Sequence, residues 1–254
     1  MISDALHFDT EGFENGVSLS HYCYDGKGLK GNVKYVKIEA TIYAHSQPLQ
    51  LSSAIYHYDD NGDVLSISYL DEKGNLINEY FLSTDETGNI LEINCYDHKM
   101  KKIASLFNVF DENGGVILKY CMDGNEQLLW KEELEYNELG EIRSKNVVNL
   151  QTLGTMLYFN FKYLDRKIVE YKVVPVGAAQ LLNSELFAFT IRQDYNLMGD
   201  KIKTVEISPS GSTMIYNYDY QYDRYENWTK CIVSGKITNK TLYTYNRTIQ
   251  YYDE

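Results

Sequence analysis

This chain is poor in the features that would mark a familiar enzyme or a membrane helix. It has three prolines in 254 residues, so long uninterrupted strands are permitted. No apolar run approaches the roughly 18–20 residues that a membrane-crossing helix needs. The first 20 residues have no basic start, apolar stretch or small-residue cleavage site, so no signal peptide is visible. Either the protein stays inside the cell or the chain begins after processing. The four cysteines, Cys23, Cys95, Cys121 and Cys231, have no CxxC spacing, and a structural zinc site is not expected. There is no Gly-x-Ser-x-Gly elbow, Walker loop or HExxH, which removes the commonest hydrolase, nucleotidase and metalloprotease signatures. Excess positive charge is also absent, since the net charge is −12. Residues 59–141 hold 19 Asp or Glu against 6 Lys, and a field of that sign repels phosphate backbones, so no nucleic-acid partner is expected.

What the chain has in abundance is tyrosine, with 24 copies against 9 Phe and 2 Trp. A tyrosine suits a pleated surface that is half buried and half wet. It also has a rhythm. An aromatic or large apolar residue precedes an acid, and glycine often follows three residues later. The clearest copies are Tyr58-Asp59-Asp60-Asn61-Gly62, Leu70-Asp71-Glu72-Lys73-Gly74, Thr84-Asp85-Glu86-Thr87-Gly88 and Phe110-Asp111-Glu112-Asn113-Gly114. Tyr96-Asp97 and Met122-Asp123 keep the beat, and Tyr136-Asn137-Glu138-Leu139-Gly140 ends it. Anchors at 59, 71, 85, 97, 111, 123 and 137 alternate intervals of 12 and 14, a period of 26.

Asp caps such a turn through its own backbone neighbours, and Gly takes the positive-φ position. The intervening stretches, such as Val64-Leu65-Ser66-Ile67-Ser68-Tyr69, have strand composition. Simple alternation places Leu65, Ile67 and Tyr69 on one face, with Val64 and Leu70 on the other. A 12-residue beat is too short for a helical crossover, so each period supplies two antiparallel strands. Strands are also expected at 33–43 and 49–58. Beyond residue 141 the rhythm loosens, with strands expected at 142–149, 154–163, 167–174, 186–192, 201–207, 213–222, 228–234 and 242–252. Gly177–Asn183 is a short helix or an irregular loop. The fold class is therefore all-β: an antiparallel up-and-down meander of hairpin repeats, near sixteen strands, in a strongly twisted, coiled or barrel-like sheet. Residues 1–28 form an N-terminal segment, and 29–254 a single domain with regular repeats over 58–141 and degenerate strands over 142–254. Cys95 and Cys121 lie one period apart, which the meander converts to roughly 9–10 Å, beyond disulfide reach.

The Tyr-Asp-x-x-Gly-Asn/Asp-Leu/Ile/Val pattern at Tyr58–Val64, Leu70–Leu76 and Thr84–Ile90 resembles the YD repeats of Rhs-type bacterial proteins. Leu29–Lys34 and Tyr222–Lys230, followed by Arg247–Tyr251, are similar to the opening and close of short YD-repeat-like proteins common in Bacteroidetes. The resemblance implies a coiled sheet and a cell-surface or secreted setting. It does not carry self-cleavage or toxin enclosure. The chain is too short to enclose a toxin, and its three prolines follow Gln47, Val174 and Ser208, never Asp.

Few residues point to chemistry. The five histidines, at 7, 21, 45, 57 and 98, are never spaced as ligands on one element, and no cofactor or metal is expected. Asp59-Asp60-Asn61-Gly62-Asp63 mimics a calcium loop, but its sixth and twelfth positions are Val64 and Leu70, so an EF-hand fails. The acid pairs Glu132-Glu133 and Asp111-Glu112 sit on adjacent strand positions and point to opposite faces. The candidate binding residues are Tyr216, Tyr218, Tyr220 and Tyr222, which line one face of one strand at every second position. They suit either a platform for a glycan or protein ligand or an aromatic ladder that holds the sheet. The reading is a non-enzymatic binding or structural module at a bacterial cell envelope. The alternative is a carbohydrate-active or carbohydrate-binding protein using aromatic platforms and acidic residues.

Overall fold

The computed structural model describes residues 29–44, 47–149, 155–176, 189–236 and 240–252. The N-terminal segment 1–28, the candidate helix Gly177–Asn183, Cys23, His7, His21 and His45 lie outside them. Sixteen strands run in chain order. They are β1 (Val33–Ala44), β2 (Gln47–Tyr58), β3 (Val64–Leu70), β4 (Leu76–Thr84), β5 (Ile90–Asp97) and β6 (Lys102–Phe110). Next come β7 (Val116–Asp123), β8 (Leu128–Tyr136), β9 (Ile142–Asn149), β10 (Thr155–Leu164) and β11 (Lys167–Val176). The last five are β12 (Phe189–Tyr195), β13 (Lys201–Ile207), β14 (Thr213–Tyr222), β15 (Trp228–Gly235) and β16 (Lys240–Tyr251). The chain is all-β and antiparallel. Its hydrogen-bonding order is sequential from β1 to β16, and β16 pairs with β1, the strand order of a closed up-and-down barrel.

One turn builds this meander. At Asp59 the anchor amide donates to the carbonyl four residues on, and the Gly62 amide donates back to the anchor carbonyl. The Asp59 carboxylate accepts from the amides of Asn61 and Asp63, both at 2.9 Å. The same backbone pair recurs at anchors 71, 85, 97, 111, 123 and 137, and again at 196, 208 and 223. The fourth turn residue has positive φ each time. It is glycine at seven of the ten turns and Met100, Glu126 or Glu226 at the others. The rhythm thus persists after residue 141 as backbone geometry, with Asn196 and Ser208 replacing the expected acid.

The turn also changes the register. Tyr58 pairs with Val64 but His57 pairs with Ser66, leaving Leu65 in a bulge. The same slip leaves Ile77, Leu91, Ile117 and Ile202 extra. All five are exposed. Simple alternation is therefore corrected at its first strand: Val64 is buried on the side of Ile67, and Leu65 is the exposed residue.

The described residues sort into two compact units, one made of those up to Ile103 together with those from Tyr218 onward, the other of those within Ala104–Asn217. In the first, one strand face is buried: Val36, Ile38 and Ala40 of β1 adjoin Ala54 and Tyr56 of β2 and Tyr245 and Arg247 of β16. In the second, Trp130, Val147, Leu157, Phe159, Val173 and Ile191 form the buried face across β8–β12. Burying each such side chain contributes about 1.5–3 kcal/mol. Cys95, Cys121 and Cys231 are buried thiols. Burial pushes Cys121 up to about 12, which makes it unreactive.

Candidate functional site

The tyrosines of β14 fall where the alternation puts them. Tyr216, Tyr218, Tyr220 and Tyr222 are each half-buried, while Asp219 and Gln221 between them are exposed. In the second unit, Tyr216 pairs with Thr204 and donates its hydroxyl to Met214 Sδ at 3.6 Å. In the first unit, Tyr220 packs against Tyr222 at 6.0 Å and against Trp228 at 6.2 Å between ring centroids. The buried Arg247 guanidinium lies 3.5 Å above the Trp228 ring. One face of Tyr220 is thus committed to holding the sheet. Sequence reading had no role for Trp228 and Arg247 beyond family resemblance. The visible signal was an arginine at 247 in the alternating row Tyr245, Arg247, Ile249, Tyr251, which faces inward.

A second cluster sits where β14, β15 and β16 meet the start of the described chain. Tyr251 donates to Asp223 Oδ2 at 2.5 Å and accepts from Asn227 Nδ2 at 2.9 Å. Asn227 also bonds the Lys30 backbone from both sides, and the Lys30 ammonium pairs with Glu226. Tyr225 packs on Tyr251 at 4.4 Å. Burial, then the Asp223 carboxylate accepting its proton, raises Tyr251 to about 12. The residues of the two terminal motifs, far apart in sequence, form one clasp.

The acid pairs do not converge. Glu132 is buried and pairs with Lys145 at 3.1 Å, while its neighbour Glu133 pairs on the opposite face with Lys131 at 2.6 Å. The Lys145 ammonium also lies 4.7 Å from the Phe159 ring. Asp111 anchors its turn, its carboxylate accepting from Asn113 and Gly115. The carboxylate of the calcium-like Asp59 is likewise engaged with turn amides. Among the described residues, no group of three or more His, Cys, Asp or Glu could hold a metal ion.

The strand face opposite the buried one is charged. In the first unit it carries Lys37–Glu39 and Lys102–Glu92. In the second it carries Lys131–Glu133, the Lys162–Glu170–Arg192 triad and Lys203–Asp194. Both cations hydrogen-bond Glu170 and hold its carboxyl below the usual range. Each exposed pair contributes little to stability. Their placement says more: a lipid-facing strand surface is an apolar band, and a lysine or arginine there costs about 2–4 kcal/mol at the bilayer midplane.

No family model and no curated protein matches this chain. Solved structures do. A porin-like protein from Bacteroides uniformis superposes with a TM-score of 0.55 at 10% identity, covering 87% of this chain and 98% of that one. What they share is the fold. A porin-like protein from Bacteroides vulgatus matches with a TM-score of 0.31 at 12% identity, covering 83% and 96% of the two chains. A domain of an outer membrane lipoprotein-sorting protein from Vibrio parahaemolyticus gives 0.29 at 9% identity, covering 88% of each. Among the described residues, no helix is long and apolar enough to cross a membrane.

Proposed function

We propose that this chain is a non-enzymatic scaffold of YD-repeat type at a bacterial cell envelope, where it acts as a binding or structural module. The observation that carries this reading is the tenfold recurrence of one hydrogen-bonded turn, whose seven aspartate anchors spend their carboxylates on backbone amides rather than on a reaction centre. The charged outward strand faces favour a protein that works beside a membrane over one whose strands cross it. The wet side of Tyr216, Tyr218, Tyr220 and Tyr222 supplies the platform for a glycan or protein ligand, as half-buried aromatic rings do.

The test is a glycan-array screen of the wild-type chain beside Tyr218→Ser and Tyr220→Ser. Loss of binding with an unchanged melting curve supports a binding platform. Loss of fold assigns these rings to the sheet alone. Fractionation of cells expressing the natural protein tests the envelope setting, and recovery only from the cytosol would contradict it.

A further inference from the structure

One connection in the first unit is made without a peptide bond. Among the described strands, every neighbouring pair in the order is consecutive in the chain except β16 and β1. Where these two meet, Leu29–Val33 and Tyr251–Tyr252 rebuild the repeat turn from separate segments. Lys30-Gly31-Asn32-Val33 reads like Lys73-Gly74-Asn75-Leu76 of an intact turn. Gly31 has a φ of 85°, against 82° at Gly74. The Tyr252 amide donates to the Asn32 carbonyl at 2.9 Å, as each anchor amide does to the carbonyl four residues on. Tyr251 pairs with Val33 as Tyr58 pairs with Val64, and Lys34 is left extra and exposed as Leu65 is. By position, Tyr252 is the anchor.

A tyrosine lacks the short acceptor that this turn needs, and the Tyr252 hydroxyl donates instead to the Tyr58 carbonyl at 2.7 Å. The acceptor comes from the neighbouring hairpin. In an intact turn the anchor accepts from the amide two residues on, as Asp71 does from Lys73 at 2.9 Å. Here the equivalent amide, that of Lys30, donates to Asn227 Oδ1 at 2.7 Å. Asn227 stands four residues after the anchor Asp223. Its counterparts in other turns, Asn75 and Asn89, bond their own anchors. Asn227 reaches across instead, donating to the Lys30 carbonyl at 2.6 Å and to the Tyr251 hydroxyl at 2.9 Å. It is buried, so these bonds are shielded from water. Gly31 packs so closely that an added Cβ would meet the Tyr251 ring at 3.0 Å.

We propose that this split turn is a latch: its release parts β16 from β1 while the hairpins of the first unit stay folded. A peptide-linked hairpin re-pairs readily, because its two strands stay at high effective concentration. The β16–β1 seam has no such link. Its strands offset this with length, twelve residues each against seven in β3 and eight in β5. They also align a buried row, Ile38 opposite Arg247 and Ala40 opposite Tyr245. Asn227 then supplies at the turn what the chain does not. Parting the seam bares two complementary strand edges, the kind of surface that pairs with another strand.

The experiment is residue-resolved amide hydrogen exchange on the full chain. Asn227→Ala should speed exchange across the β16–β1 seam by about tenfold or more, since it removes three hydrogen bonds. Amides between β3 and β4 should change by less than about twofold. Adding Tyr252→Asn, the short anchor that Asn137 provides at its own turn, should recover most of the protection. Equal acceleration at both seams, no acceleration at β16–β1, or no recovery in the double variant overturns the proposal. A cross-strand disulfide covers the case of a single variant that does not fold. Lys37 and Thr248 are opposed in register, and oxidised Lys37→Cys/Thr248→Cys should restore fold and protection to Asn227→Ala. Failure of that restoration also overturns the latch.

Discussion

Residues 58–141 and residues 142–254 build the same turn from different side chains. In the first stretch the anchor is Asp at six positions and Asn at Asn137. In the second it is Asn196, Ser208 and Asp223, at uneven spacing, with the same anchor-amide bond of 2.8–2.9 Å. The turn therefore needs a short polar anchor and a residue that tolerates positive φ. It does not need an acid, and it does not need glycine. The excess acidity of the first stretch is a choice among equivalent turn residues. The comparison also separates Tyr from Asp in the repeat. Asp makes its own hairpin, while a tyrosine just before the anchor, as at Tyr136 and Tyr195, ties that hairpin to the previous one at the same end.

The largest effect is expected where the two stretches meet, at β8 and β9. Glu132→Ala leaves the half-buried Lys145 without its carboxylate and should cost about 3 kcal/mol by denaturant unfolding. Glu132→Met with Lys145→Leu should recover most of that loss. If the double change is as damaging as the single one, packing rather than charge holds this seam. Next come the anchors. Asp111→Ala should cost about 1–2 kcal/mol, because two amides lose their acceptor. Asp111→Asn should cost less than about 0.5 kcal/mol, since Asn137 already does this work with its side-chain oxygen. A large loss for Asp111→Asn would break the equivalence between the stretches. Smaller again is the positive-φ residue. Glu126→Gly should stabilise by about 1 kcal/mol, and Gly62→Ala, whose added methyl meets nothing within 4 Å, should destabilise by a similar amount.

The pH dependence distinguishes the stretches at opposite ends of the scale. The side chains of Thr87 and Asn89 lower Asp85 from 3.8 to about 2, and Asp71 and Asp97 are also lowered, chiefly by Asn75 and the Lys101 amide. A depressed carboxylate stabilises above its unfolded value, and that contribution is lost as pH falls from about 4 towards 2. The clasp responds to alkali. Tyr251 is raised from 10.0 to about 12, so its contribution is complete below pH 10 and fades as pH rises to 12. Melting temperatures across both windows should fall at each end, and Tyr251→Phe should flatten the alkaline limb more than the acid one.

Strand number, hairpin spacing and the turn roles of Asp and Gly were legible in the sequence because all are local, with period 2 within strands and 26 between them. The bulge was not. It inserts one residue after the turns at Asp59, Asp71, Asp85, Asp111 and Asn196, but not after the one at Ser208, and moves Leu65 off the face that alternation assigned to it. The turns at Asn196 and Ser208 were hidden because the anchor can be drawn from several short polar residue types. Long-range partnerships were the least visible. Nothing local pairs Glu132 with Lys145, seats Arg247 on Trp228, or brings Tyr251 to Asp223. For the candidate site, the sequence placed four tyrosines on one face. It could not show that Tyr220 already leans on Trp228.

The most direct test of a single turn unit running through both stretches is residue-resolved amide hydrogen exchange on the ten anchor amides. Each donates to a carbonyl four residues on, at 2.8–2.9 Å, whether its side chain is Asp, Asn or Ser. The account predicts comparable protection at Asp59, Asp85 and Asp111 and at Asn196, Ser208 and Asp223. Protection confined to 58–141, with free exchange at 196, 208 and 223, would contradict it.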